Sequence, residues 1–366
     1  MNKYSFNQIS LIQFILIICE AQVGIGVLSL PRDLAKKAGT DGWMGIIIGW
    51  MLAMLLSLII IRVMEKNPGY TIFEIVSKYF GKWGGKGITL LWSVAEAYIA
   101  STILFSTIHI IKIWILQNVS NYILMILLII PIYMVTKHGI RMIGMYAELV
   151  CVFTMWMPLL LLFALKDTEW MYLFPIGKEG ILPILDSAKS TVLSFLGFEL
   201  AFILYPFLKD KKSAAKGIVI ANSLTMLVYL TTTLVSFIRF SPLEITDYLF
   251  PVLNLLKVIH LPFMERLEIV SLSFYLALII MSVIPSLYVS MLGISQLLGK
   301  QDHRNPLRIL LFLWVIASFF YIPSAFQIMQ MVKSWVAVGI IISVVFPIFL
   351  WIYGWLFHFV RKEAKQ

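Results

Sequence analysis

The chain has 366 residues, of which 60% are hydrophobic and 13% are charged, and its mean hydropathy is +0.92. Soluble domains average about 45–50% apolar and about 25% charged residues, so this composition excludes an ordinary soluble protein and indicates a surface largely in contact with lipid. The net charge of +10 does not indicate a nucleic-acid partner, because the Lys and Arg residues are scattered singly between apolar runs.

Ten stretches are long and apolar enough to predict transmembrane helices, at about 20 residues for each crossing. Six contain no Lys, Arg, Asp or Glu, and each of the other four contains a single Glu. In chain order they are 4–31, 42–61, 87–111, 113–136, 142–165, 190–208, 217–238, 269–299, 309–332 and 334–360. The first is interpreted as a transmembrane helix rather than a cleaved signal peptide, because no A-x-A-like site follows it.

Three connections are long. Residues 70–80 and 247–257 predict short amphipathic helices that lie along the membrane interface. Residues 166–187 contain two prolines and two glycines and predict an irregular exterior loop. An even number of helices places both termini on one side. With that side in the cytoplasm, its loops hold 18 of the 29 Lys and Arg residues, which favours cytoplasmic termini.

An internal repeat relates the two halves at an offset of about 175–177 residues, where Arg62 after the second helix aligns with Arg239 after the seventh. Five helices per repeat is an odd number, so the second half must be inverted relative to the first. Inverted repeats of this kind are typical of secondary transporters. We therefore expect one transmembrane domain over 1–366, with halves of about 1–165 and 188–366.

Glycines interrupt two of the predicted helices. Gly24-Ile25-Gly26 lies mid-span in the first helix and Gly197-Phe198-Glu199 lies in the sixth, so both helices are predicted to break there. Broken ends expose backbone polar groups, which are tolerated only in a cavity or inside protein. The amide end suits a carboxylate and the carbonyl end an ammonium or a cation, so the pair would bind a zwitterion. The alternative is that Gly-x-Gly serves only close helix packing.

Single acids lie in four of the predicted helices. An ionised acid at the bilayer centre costs roughly 2.5–3.5 kcal/mol on insertion scales, so each should face the protein interior. Glu20, Glu96 and Glu199 are candidate proton or ion sites. The alternative is a carboxyl held neutral or paired to stabilise helix packing. Glu148 is close to one membrane face.

Helices 3 and 8 should flank the breaks in such a fold. Tyr98 and Thr102 share one face of helix 3, and Ile284 and Tyr288 share one face of helix 8 beside Pro285. Core packing is the alternative role for each of them. The candidate ligand-binding residues are therefore Gly24, Ile25, Gly26, Tyr98, Thr102, Gly197, Phe198, Glu199, Ile284 and Tyr288.

Other chemistry is not indicated. His109, His138 and His303 have no metal-ligand spacing, and Cys19 and Cys151 lie far apart inside apolar runs. The sequence contains no nucleotide-binding loop, catalytic triad or zinc signature. We expect no metal, no cofactor and no enzymatic activity.

Several motifs carry a family resemblance over essentially the whole chain. They are Ile9-Ser10-x-x-Gln13, Gly24-Ile25-Gly26-Val27-Leu28-Ser29-Leu30-Pro31, Asp41-Gly42-Trp43, Phe80-Gly81-Lys82-Trp83-Gly84-Gly85-Lys86, Phe174-Pro175 with Gly180-Ile-Leu-Pro183, and Lys209-Asp-Lys-Lys212. This combination resembles the B-subunit family of spore germinant receptors, the GerAB- and GerKB-like spore permeases of the amino acid–polyamine–organocation superfamily.

The resemblance implies an all-α LeuT-like fold and a nutrient sensor in the spore inner membrane. Such subunits bind a small germinant, often an amino acid, and act with an A-type membrane subunit and a C-type lipoprotein subunit. The resemblance implies that the family's pocket corresponds here to Gly24, Gly26, Phe198, Thr102 and Ile284. The acid at position 199 departs from that pattern and would shift the preference away from simple neutral amino acids.

Two functions share this scaffold. One is a ligand-binding receptor subunit, and the other is an amino-acid transporter coupled to protons through Glu20, Glu96 or Glu199. Membrane lipid is an expected partner in both, and nucleic acid is not.

Overall fold

The computed structural model describes residues 7–166, 168–259, 266–299, 302–321 and 323–363, with side chains described up to Trp355. These residues form helices and contain no β-strand. The helices are α1 Leu11–Val23, α2 Gly26–Ala38, α3 Gly42–Glu65, α4 Ile72–Trp114, α5 Asn121–Thr136, α6 Ile140–Thr154, α7 Met157–Ala164, α8 Ile181–Ser194, α9 Ala201–Leu204, α10 Ala214–Arg239, α11 Glu244–Asp247, α12 Pro251–Val258, α13 Leu267–Leu297, α14 Arg304–Phe320, α15 Ala325–Ile340 and α16 Phe346–Glu363.

Several of these helices are suited to cross a membrane. Within the described ranges, six stretches are long and apolar enough, and a bent pair makes a seventh. The six are Gly26–Glu65, Ile72–Trp114, Ile140–Ala164, Lys211–Arg239, Leu267–Leu297 and Ala325–Trp355. α1 and α5 are apolar but shorter. The chain is therefore a multi-pass membrane protein, and the count of ten crossings stays a prediction.

Both predicted helix breaks are present. α1 ends at Val23, and Gly24 has φ 27° and ψ −144° before α2 begins. α8 ends at Ser194, and Gly197 has φ 126° before a short helical segment, Phe198–Phe207. The two halves of this second broken helix differ in direction by 42°. Residues with a Cβ rarely adopt these φ values, so glycine permits both breaks.

A short helix precedes the third predicted crossing, as the sequence predicted. α4 contains a sharp turn at Gly81, with φ 73°, which separates residues 72–80 from the long helix after it. A Cβ at Gly85 would overlap Ser77, so the short helix folds back closely against the long one. α11 and α12 occupy the second segment for which a short helix was predicted. The interfacial position of both segments stays a prediction.

Two helix boundaries differ from the prediction in the charge-free runs. The run 113–136 is not one helix, because α4 continues to Trp114 and turns through 115–120 before α5. The runs 309–332 and 334–360 were separated at Lys333, but that residue lies exposed inside α15. The actual boundary follows Phe320, where Ser324 forms a capping box at the start of α15.

The prediction of an irregular loop at 166–187 is wrong for its last third, because α8 begins at Ile181. Pro183 fits within a first helical turn, where no backbone donor is required. Asp186 forms ion pairs with Lys37 at 3.2 Å and with Lys189 at 3.5 Å. These pairs stabilise charged residues in the first turns of α8. The first broken helix likewise continues to Ala38, beyond the predicted end.

Small residues bring α8 against α3. Cβ atoms at Gly45 and Gly49 would overlap Ser187 and Thr191, respectively. The Thr191 hydroxyl donates to the Gly45 carbonyl oxygen at 2.6 Å. Close backbone approach through small residues is a common way to pack membrane helices. This contact holds α8, the first half of the second broken helix, against α3.

Candidate functional site

The two helix breaks lie in direct contact. A Cβ at Gly197 would stand 3.0 Å from Cγ of Gln22 and 3.2 Å from its backbone nitrogen. The Gln22 side-chain amide donates to the Phe195 carbonyl oxygen at 2.8 Å. A residue just before the first break therefore satisfies a carbonyl just before the second, and the two breaks form one site.

One face of α10 holds this site together. The Gln22 amide also donates to Asn222 at 2.8 Å, and the Thr225 hydroxyl donates to the Gln22 side-chain oxygen at 2.6 Å. The Tyr229 hydroxyl lies 2.6 Å from the Gln22 carbonyl oxygen and 2.8 Å from that of Ser194. Its single proton serves one of these carbonyls at a time. A buried network of this kind fixes the relative position of its members.

Hydroxyl groups of α13 serve the carbonyl end of the first break. Tyr275 donates to the Gly24 carbonyl oxygen, and Ser282 donates to that of Glu20 at 3.2 Å. The sequence predicted that these carbonyls would suit an ammonium or a cation. A carbonyl oxygen has two lone pairs, so that of Gly24 could contact a cation beside the Tyr275 hydroxyl.

The amide end of the first break is open. α2 has no side-chain cap, Gly26 is exposed, and Ile25 is half-buried. The nearest atom to a Cβ at Gly26 is the Tyr229 hydroxyl oxygen, 3.9 Å away. Uncapped amides and the helix dipole together make such an end suited to a negative group.

The amide end of the second break is occupied by its own side chain. The Gly197 backbone amide donates to the Glu199 carboxylate at 2.7 Å. Glu199 thus takes the position that an anionic ligand group would take at this break. At the other amide end, the start of α2, no described side chain accepts a capping hydrogen bond.

Glu96 lies in α4 near this second break. It is buried, and the Trp92 indole donates to its carboxylate at 3.2 Å. The Trp92 ring packs edge-on against Phe202 and Phe346, which connects the acid to α9 and α16. Glu199 is close enough to interact electrostatically with Glu96.

Glu20 is a buried acid of α1. It is 5% exposed, and neither of its carboxylate oxygens has a hydrogen-bond partner in the part of the chain that the structure describes. Tyr146 and Cys151 of α6 lie close enough to Glu20 for an electrostatic interaction. No group of three or more His, Cys, Asp or Glu residues that could hold a metal occurs among the described residues.

Tyr98 and Thr102, the candidates from the predicted third crossing, lie in α4 and bond to other parts of the structure. The Tyr98 hydroxyl donates to the Met331 carbonyl oxygen of α15 at 3.4 Å. Thr102 is buried, and its hydroxyl donates to the Tyr98 carbonyl oxygen at 2.9 Å within its own helix. Among the described residues, their side-chain hydrogen bonds therefore go to α15 and α4 rather than to the two breaks.

Three further candidates are buried in this conformation, and their ligand-binding role stays a prediction. Phe198 and Ile284 are fully buried, and Tyr288 is 4% exposed. The Tyr288 ring lies 5.4 Å from the His303 ring, at the start of α14. The structure thus brings the two helix breaks together through Gln22 and Gly197, whereas the Tyr288 ring packs against His303.

The sequence interpretation missed Gln22 and the α10 residues Asn222, Thr225 and Tyr229. Their signal was present, because the three α10 residues follow the i, i+3, i+7 spacing of one helix face. Polar residues repeated on one face of a transmembrane helix indicate a polar partner.

Asp41 connects two of the motifs noted in the sequence. It is fully buried, and its carboxylate accepts the backbone amides of Gly177 at 2.8 Å and Glu179 at 3.1 Å. The Asp-Gly-Trp segment therefore anchors the loop that contains Phe174-Pro175, next to the end of α2.

Comparison with known proteins gives a family match. A family model described as Spore germination protein (Spore_permease) matches residues 8–327. Spore germination protein GerQB of Bacillus cereus is 25% identical over 353 residues, which cover 94% of this chain and 95% of GerQB. Spore germination protein B2 of Bacillus subtilis (strain 168) is 22% identical over 372 residues, which cover 100% of both chains.

Solved structures give a fold match. Mhp1, a nucleobase-cation-symport-1 family transporter in a closed conformation with bromovinylhydantoin bound, superposes with a TM-score of 0.64 and 10% identity, covering 93% of this chain and 77% of Mhp1. A Na⁺-coupled sialic acid symporter gives a TM-score of 0.58 and 13% identity, covering 97% of this chain and 76% of that one. These similarities confirm the LeuT-like fold with broken first and sixth helices.

Proposed function

Because the chain belongs to the spore germination protein family, we propose that it is the membrane subunit of a germination receptor and senses a nutrient by binding a small molecule. The family and the fold are those of membrane receptors and transporters, not of enzymes. The proposed ligand is a germinant such as an amino acid, bound near the membrane midplane.

The observation that carries this proposal is the open amide end of α2 beside the second break. A ligand carboxylate would accept hydrogen bonds from the exposed backbone at Ile25 and Gly26. Glu20, one turn before the break and without a hydrogen-bond partner among described residues, is the proposed acceptor for a ligand ammonium. We propose that Glu199 caps the backbone rather than contacting the ligand, because its carboxylate already accepts the Gly197 amide.

The proposed setting is the spore inner membrane, with both termini in the cytoplasm. The partners are an A-type membrane subunit and a C-type lipoprotein subunit. The positive-inside bias of the loops and the family membership support this arrangement. Co-purification of tagged chain with both subunits from spore membranes would test it.

The second candidate function is a proton-coupled amino-acid transporter. It is favoured by the buried Glu20, because an unpartnered acid inside a membrane protein is a typical proton carrier. Glu96 is less suited, since Trp92 already donates to it.

Reconstitution separates the two functions. The purified chain is placed in liposomes with an inward proton gradient, and uptake of labelled amino acids is measured beside their effect on thermal unfolding. The receptor proposal predicts a ligand-dependent rise in Tm without uptake. Gradient-driven uptake would support the transporter, and the absence of both effects would contradict small-molecule binding of this class.

A further inference from the structure

A cavity with charged residues in its wall lies away from the helix breaks. It has a volume of about 380 Å³ and opens where the kinked start of α4 meets the end of α13. Its walls include Lys82 and Lys86 from α4 and Gln296 from α13. No part of the proposed germinant site uses these residues.

Two lysines and one acid contribute charge to the cavity wall. Lys82 and Lys86 are exposed and four residues apart, so they share one helix face. Among described residues, neither ammonium forms an ion pair with a carboxylate. The acid in the wall, Glu74, accepts the backbone amide of Thr71 at 2.8 Å as part of a capping box.

The same helix face becomes apolar immediately beyond the lysines. Leu90 and Val94 follow Lys86 at successive four-residue steps, about 6 Å each along a helix, and their side chains are 51% and 57% exposed. Trp83 is 85% exposed beside the lysines, and the Lys86 ammonium lies 5.9 Å from its ring centroid. Exposed Trp residues mark the headgroup level of a membrane.

We propose that this cavity binds the phosphate-bearing headgroup of an anionic phospholipid, with its acyl chains along Leu90 and Val94. Free inorganic phosphate carries the same charge and would suit the two lysines. The adjoining apolar stripe favours the lipid, because free phosphate would gain nothing from it. Basic pockets between membrane helices are a recognised form of lipid headgroup site.

Native mass spectrometry of the purified full chain in detergent tests this proposal. Phosphatidylglycerol and phosphatidylcholine with identical acyl chains are titrated, and bound lipid is counted for the wild type and for Lys82→Gln/Lys86→Gln. The matched control is Lys211→Gln/Lys212→Gln, which removes two lysines outside the cavity. Loss of two surface cations is expected to weaken phosphatidylglycerol binding by about thirtyfold.

The expected pattern is a preference of the wild type for phosphatidylglycerol that the cavity variant loses and the control keeps. Lys82→Arg/Lys86→Arg should retain the preference, which shows that the charge rather than folding is responsible. Equal loss in the control variant, or no preference in the wild type, would overturn the proposal. Displacement of the lipid by millimolar inorganic phosphate would overturn the choice of lipid as the occupant.

Discussion

The backbone amide of Gly197 donates a 2.7 Å hydrogen bond to the carboxylate of Glu199, two residues along the chain. The sequence predicted Glu199 as a ligand or proton site, but its carboxylate accepts a hydrogen bond from the backbone of its own helix break. Within the described part of the chain, no side chain caps the start of α2 in the same way. This asymmetry is the reason for placing an anionic ligand group at Gly26 rather than at Gly197.

Glu199→Gln should preserve both the fold and the ligand response, because a side-chain amide oxygen still accepts from Gly197. Glu199→Ala leaves that amide without its partner and should lower the free energy of unfolding by about 1–3 kcal/mol. Thermal unfolding in detergent and the germination response of spores measure the two effects. Loss of response in a well-folded Glu199→Gln variant would show that the negative charge itself contacts the ligand.

Tyr229→Phe should destabilise the protein by about 1–3 kcal/mol, because the carbonyls of Gln22 and Ser194 lose their shared donor. The ring is retained, so its edge-on contact with Phe195 persists. Tyr70→Phe is the matched control, since that tyrosine is 47% exposed. Equal Tm values for both variants would mean that the hydroxyl does not hold the breaks together.

Gly24→Ala should lower the free energy of unfolding by about 1–3 kcal/mol, because φ 27° is strained for any residue with a Cβ. The new Cβ would also stand 2.8 Å from the Ser282 hydroxyl oxygen. Gly26→Ala should be tolerated, since its Cβ would meet no atom closer than 3.9 Å. Comparable Tm values for the two variants would indicate that the break at Gly24 is not required.

Asp41→Ala should release the loop around Gly177 and Glu179, with a loss of about 1.5–3 kcal/mol for hydrogen bonds to a charged group. Limited proteolysis is expected to cut this loop faster in the variant. Asp247→Ala, at an exposed position, is the control. Unchanged cleavage of the loop in Asp41→Ala would show that other contacts anchor it.

Local chemistry explains which features the sequence predicted. Glycines at 24 and 197 permit backbone angles that other residues avoid, so both breaks were visible without coordinates. The boundary between α14 and α15 was missed because charged residues were taken as helix ends, whereas Ser324 begins α15 through a capping box. A helix tolerates an exposed Lys such as Lys333, so a charged residue does not mark a helix end.

Long-range contacts explain what the sequence did not reveal. Gln22 bonds to residues on α8 and α10 that lie far along the chain, and only the folded arrangement selects those partners. The capping role of Glu199 was also hidden, because it depends on the turn that brings its carboxylate to the Gly197 amide. The polar face of α10 was recognisable as a pattern, but its partner was not.

The central claim is that a small molecule binds at the open end of α2. Thermal unfolding of the purified chain with each of the twenty amino acids tests it most directly, using wild type, Gly26→Ala and Gly26→Trp. A saturating ligand stabilises the form that binds it, by about 2.7 kcal/mol at one hundred times its Kd. The account predicts that at least one amino acid raises the Tm of the wild type and Gly26→Ala but not of Gly26→Trp. An equal shift in a folded Gly26→Trp variant, or no shift in the wild type with any amino acid, would contradict it.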